Sequence, residues 1–171
     1  MLSDGGSSSF YAVPHRPIWL TPLVPTVLGV CAIALGGAAI AGTGAARAPA
    51  PVLTVYKSPT CGCCTKWVEH VQAAGFRVIV HDTTNVSAVK QRYGVPTSLT
   101  SCHTAVVEGY VIEGHVPADV IKRLLRERPE IAGVAVPGMP QGSPGMESPT
   151  PTRYAIYTFD RTGRTGVFAH R

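Results

Sequence analysis

Between Val52 and Val71 the chain reads VLTVYKSPTCGCCTKWVEHV. Val52 to Tyr56 is a short, β-branched strand, and Lys57-Ser58-Pro59-Thr60 is a turn in which Pro59 blocks its continuation. From Cys61 the apolar residues Cys64, Trp67, Val68 and Val71 recur at helical spacing, and Gly75 sits just past the helix end. Three of the chain's five cysteines therefore open one helix. There the backbone N–H groups and the macrodipole favour thiolate over thiol. The spacing puts Cys61 at the cap and more exposed, Cys64 one turn on against the helix, and Cys63 about a quarter-turn from Cys64.

Two chemistries fit this cluster. Cys61 and Cys64 have the spacing of a catalytic redox dithiol, with Cys63 a spectator. Alternatively all three sulfurs hold a soft metal, Cu(I) above all, and two ions sharing a bridging thiolate would use them together. A closed structural zinc site needs four thiolates, normally from two well-spaced knuckles; beyond the cluster the chain offers only Cys102-His103.

Further along, Phe76 to Val80 reads as a second strand, and Val86 to Tyr93 as a short helix ending at Gly94. Val95-Pro96-Thr97 leads through a strand-like piece to Ser101-Cys102-His103-Thr104. Ala105 to Val107 and Tyr110 to Ile112 flank Glu108-Gly109 as a hairpin. Pro117 opens a helix with Val120, Ile121, Leu124 and Leu125 as its buried stripe, and Pro129 ends it. Met139 and Met146 lie in VPGMPQGSPGMESP, a Pro-Gly-rich loop without apolar periodicity. A thioether on such a loop is poorly placed for core packing and well placed to reach a copper site. Tyr154 to Phe159 and Gly166 to Phe168, joined through Asp160 to Gly163, form a C-terminal hairpin.

The 171 residues are 45% hydrophobic, enough for one modest core with appendages. The net charge of +5 is scattered and only 7% of residues are aromatic, so no nucleic-acid site is read. No nucleotide loop, carboxylate dyad or serine triad is present. Between Arg16 and Arg47 there is no charge, and Ile18 to Ala46 is mostly apolar. With Ala46-Arg47-Ala48 as a small-x-small cleavage pattern, residues 1–48 read as a secretory signal sequence or, uncleaved, a membrane anchor. The remaining divisions are a linker at 49–51, a core at 52–130, the Met-containing loop at 131–151 and the hairpin at 152–171.

The order strand, helix, strand, helix, strand, strand, helix, with Cys-x-x-Cys opening the first helix and Pro96 in the matching proline loop, resembles the thioredoxin fold. A thioredoxin-like α/β domain is therefore expected: a central mixed sheet flanked by helices, with a Pro/Gly/Met loop and a C-terminal hairpin. Ser101-Cys102-His103-Thr104-Ala105, Gly109 to Pro117 (GYVIEGHVP) and Val136 to Glu147 (VPGMPQGSPGME) resemble the signature of CopG-type proteins, a bacterial family of exported metal-binding proteins associated with copper resistance. The resemblance runs roughly from Val52 to Phe168.

It implies that Cys102 and His103, which on a regular strand would face opposite sides, turn together toward the cluster, and that His115 joins them. The implied ligand set is Cys61, Cys63, Cys64, Cys102, His103, His115, Met139 and Met146, holding copper in a polynuclear site that interconverts Cu(I) and Cu(II). The implied partners are copper ions and a periplasmic copper chaperone, exporter or redox partner, with contact to the membrane only through the N-terminal segment. His70, His81 and His170 have no partner in sequence and stay outside this set.

Overall fold

The computed structural model describes residues 49–171; the signal or anchor segment expected at 1–48 lies outside them. Among the described residues no helix is long and apolar enough to cross a membrane. The elements are β1 (Val52–Lys57), α1 (Gly62–Ala73), β2 (Arg77–Asp82), α2 (Val86–Arg92), a 3₁₀ turn (Thr97–Leu99), β3 (Thr104–Val107), β4 (Tyr110–Glu113), α3 (Ala118–Glu127), β5 (Gly133–Ala135), β6 (Ala155–Phe159) and β7 (Thr165–His170). The strands form one mixed seven-stranded sheet in the order β2-β1-β3-β4-β5-β6-β7.

The core follows from alternation and helical stripes. Strand β1 buries Leu53, Val55 and Lys57 on one face. Helix α1 buries Cys64, Trp67, Val68 and Val71, and α3 buries Val120, Ile121 and Leu124. Apart from Lys57 and Cys64, these pack with Ile112 and Ile156 into one apolar cluster. Burying a side chain of this size contributes about 1.5–3 kcal/mol each.

Three local expectations are corrected. The strand-like piece after Pro96 is a 3₁₀ turn, in which the Thr100 hydroxyl donates to the Thr97 carbonyl (3.0 Å) and Leu99 is buried. The 131–151 stretch is not loop throughout, since its start supplies β5, three residues long and too short for a period to show. Pro117 is the N-cap of α3 and lies just outside its first turn.

The register fixes where the site forms. Tyr56, near the end of β1, lies opposite Thr104, the first residue of β3. Thr104 in turn lies opposite Glu113, the last residue of β4, and Glu113 opposite Ala135, the last residue of β5. The segments beyond these residues are the turn into α1, Cys102-His103, Gly114-His115 and the start of the methionine loop. All four therefore emerge at the same end of the sheet.

Candidate metal centre

Cys61 is the N-cap residue of α1, and its side chain makes no capping bond. It is joined to buried Cys64 in a disulfide, with Cα atoms 5.3 Å apart. Cys63 and Cys102 are free thiols, both half-buried. Cys63 Sγ lies 3.5 Å from Cys61 Sγ and 4.0 Å from the thioether of Met139. The sulfurs of Cys61, Cys63, Cys64 and Cys102 all lie within 4.8 Å of one another.

A second group shares Cys102. Ligand atoms of Cys102, His103 and His115 also lie within 4.8 Å of one another. Cys102 Sγ is 3.0 Å from His115 Nε2 and 3.3 Å from His103 Nδ1. Cys102 and His103 precede β3, so strand alternation does not apply and both side chains turn inward.

His115 follows Gly114, whose φ of +71° suits glycine; a Cβ there would meet the Val136 carbonyl at 2.6 Å. The His115 Nδ1–H donates to the Pro144 carbonyl (2.7 Å). That bond fixes the tautomer and leaves the Nε2 lone pair facing Cys102. Burial holds the His115 pKa below its ordinary value, partly opposed by the Pro144 carbonyl.

His103 is completely buried, its ring 4.3 Å from Trp67 and 5.1 Å from His115. Burial, reinforced by His115 and Lys90, pushes its pKa well down, so its ring is neutral and free to ligate. Among the described residues its Nε2 is a buried nitrogen without a hydrogen-bond partner. Such an atom normally costs about 1–3 kcal/mol, and a ligand there would remove the penalty. Burial, with the nearby Cys63 thiol, pushes the Cys102 thiol up to about 12. It stays protonated at neutral pH until something positive displaces its proton, as metal binding does.

The methionine loop closes one side. Met146 lines, with Gly62, Cys63, Lys66 and Glu147, a cleft of about 490 Å³ at the N-terminal end of α1. Met139 is 51% exposed beside Cys63. The structure thus gathers Cys61, Cys63, Cys64, Cys102, His103 and His115 in two overlapping groups, places Met139 at their edge, and sets Met146 in the adjoining cleft. His70, set aside in the sequence, lies outside both groups; its Nε2 accepts from the Ala118 N–H at the start of α3 (3.1 Å). His81 stacks on Tyr56.

Sequence reasoning missed Glu113 and Lys90. Glu113 is completely buried and Lys90 nearly so, and they pair at 2.5 Å directly behind Cys102-His103. The available signal was a glutamate ending an otherwise apolar strand, just ahead of Gly114-His115.

Residues 99–146 match a family described as a protein of unknown function, DUF411. No curated protein sequence matches the chain. Two solved structures, described as copper resistance protein copG in Form 2 and Form 1, are each 46% identical to it with a TM-score of 0.68. The matches cover 71% and 72% of this chain and 98% of each neighbour.

Proposed function

The chain belongs to the family of the copper resistance protein CopG, and from that premise we propose that it is an exported copper-binding protein holding copper in a polynuclear Cys/His/Met site. The observation that carries this reading is the Cys102 sulfur, a member of both ligand groups at once. A thiolate common to two groups is suited to bridging metal ions. The donor set fits copper: thiolate and thioether are soft ligands, and imidazole serves either oxidation state. His103 Nδ1, 3.3 Å from the Cys102 sulfur, and His115 Nε2, 3.0 Å from it, are further points of fit.

Cys63, Cys102, His103 and His115 are available as the structure stands. Cys61 and Cys64 join once their disulfide is opened, which takes two electrons and two protons from a dithiol reductant that is itself oxidised to a disulfide. Copper held there supplies a one-electron couple, and the mixed donors support interconversion of Cu(I) and Cu(II). The protein's own part is to fix His115 through Pro144, bury His103 against Trp67, and keep Cys102 protonated until metal arrives.

The strand order β2-β1-β3-β4, with β1 and β2 parallel and β3 antiparallel to both its neighbours, supports a thioredoxin-like classification of the first part of the domain. Export to the periplasm, cleaved or anchored, rests on the apolar run in residues 1–48.

A second reading, thiol–disulfide exchange by Cys61 and Cys64, is favoured by one observation: those two cysteines are the bonded pair, and Cys61 caps the helix. It requires turnover on a disulfide substrate without metal and indifference to loss of Met139 and Met146. The copper reading is tested by anaerobic Cu(I) titration of the reduced full chain against a chromophoric Cu(I) chelator. Cys102→Ser should bind at least tenfold more weakly and fewer ions per chain. Wild-type affinity and stoichiometry in that variant would refute a shared Cys102.

A further inference from the structure

Glu113 ends β4 with its carboxylate completely buried. Each of its oxygens is engaged. Oε1 accepts from Lys90 Nζ (2.5 Å) and from the backbone N–H of Ser101 (2.6 Å); Oε2 accepts from the Thr104 hydroxyl (2.7 Å). Lys90 Nζ also donates to Thr104 Oγ1 (3.2 Å). Ser101 and Thr104 are the residues immediately before and after Cys102-His103. One carboxylate thus grips that dipeptide by both flanks. From the same end of β4, the Gly114 N–H donates to the His103 carbonyl (3.0 Å).

A buried ion pair seldom adds net stability over an apolar pair of the same volume. A charge at this position therefore calls for another reason, and the two flanking bonds supply it. We infer that Glu113, paired with Lys90, is a positioning residue that turns Cys102 and His103 inward onto His115. The inference rests on the metal reading only for the purpose it assigns to that geometry. The geometry itself can be tested in metal-free protein. Because Lys90 lies on α2, the same pair ties that helix to the ligand loop.

The informative variant is Glu113→Leu with Lys90→Met in the full chain. It replaces the ion pair by apolar groups of similar volume and strips Ser101 N–H and Thr104 Oγ1 of their acceptor. In metal-free protein, iodoacetamide labelling followed by peptide mass spectrometry should show Cys102 modified at least tenfold faster than in wild type, with Cys63 unchanged. Cu(I) affinity should fall at least tenfold. Glu113→Gln, made beside the same Lys90→Met so that no buried ammonium is left unpaired, keeps an oxygen for Ser101 N–H and, through rotation of the Thr104 hydroxyl, a bond to Thr104. It should restore both quantities to within about threefold of wild type. Thr104→Val, a change a strand position accepts, removes one flank only and should speed Cys102 labelling about threefold. It carries the test where the Glu113→Leu double variant does not melt cooperatively.

Unchanged Cys102 labelling in a folded Glu113→Leu double variant, or in Thr104→Val, overturns the inference. Faster labelling with unchanged Cu(I) affinity also overturns it, since the grip would then not serve the ligands. Failure of the metal reading shows separately, as absence of Cu(I) binding by the wild-type protein.

Discussion

Replacing Gly145 by alanine should loosen the methionine loop from the ligand groups. Gly145 has φ +86°, and a Cβ built on it would stand 2.6 Å from the Cys63 carbonyl oxygen, 3.0 Å from the Trp67 amide nitrogen and 3.3 Å from His115 Nδ1. The first two are backbone atoms of α1 and cannot swing aside as a flexible side chain would. Holding a non-glycine residue at positive φ costs about 1–2 kcal/mol. Relief of the overlap requires the loop to lift away from α1, and the adjacent Pro144 carbonyl lifts with it. That breaks the 2.7 Å bond from His115 Nδ1–H and leaves a buried N–H unpaired, a loss of about 1–3 kcal/mol. The two effects together come to about 2–5 kcal/mol. At roughly 3–5 °C per kcal/mol for a domain of this size, the midpoint of thermal unfolding should drop by about 6–25 °C. The more specific readout is the His115 ring. In wild type its ¹⁵N shifts should report a single Nδ1–H tautomer, and in Gly145→Ala a mixture with Nε2–H. An unfolding midpoint within 2 °C of wild type, with His115 still a pure Nδ1–H tautomer, would refute the reasoning that the loop positions this histidine.

Two further outcomes are expected. Burial lowers the pKa of His70, against the opposing pull of Asp119 and Glu147, so the native state binds its proton less readily than the unfolded chain. Its stabilising contribution is then complete above the unfolded value near 6.5 and is lost as pH falls from there through the lowered native value. Chemical denaturation between pH 7.5 and 5 should show a shallower loss of stability in His70→Gln, whose amide oxygen still accepts from Ala118 N–H without titrating; coincident pH slopes for the two proteins would sink the assignment. Mild reduction of the denatured full chain should raise its free-thiol count by two, the Cys61–Cys64 pair, in wild type and in Cys63→Ser alike; a rise abolished by Cys63→Ser would mean that Cys63, and not its neighbour, is a bonded partner.

The parts of this site that were legible in sequence are those carried by one helical turn. Cys61, Cys63 and Cys64 share the start of α1, and helical spacing alone separates the cap residue Cys61 from the buried Cys64. The bonded pair within the cluster could not be read the same way, because redox and metal chemistry place identical demands on the spacing. Cys102 and His103 posed the opposite problem. Their adjacency implies opposite faces if the strand begins before them and a common direction if it begins after, and sequence does not fix that boundary. In the structure it falls at Thr104, the residue whose hydroxyl Glu113 holds. Glu113 was obscured because β4 is four residues long and its last position reads equally well as the start of a turn. The 3₁₀ turn after Pro96 and the three-residue β5 were hidden by the same shortness.

What the sequence could not express is register. The candidate ligands meet because Tyr56, Thr104, Glu113 and Ala135 stand in one row across four strands. A slip of one residue between β3 and β4 would invert the faces of β4, sending Glu113 to the opposite side of the sheet and moving His115 away from Cys102. The buried Glu113–Lys90 pair opposes that slip, because only the observed register gives the carboxylate Lys90, Ser101 N–H and Thr104 together. A burial that adds little to stability thus serves specificity: it penalises the strand pairings in which the candidate ligands would not meet.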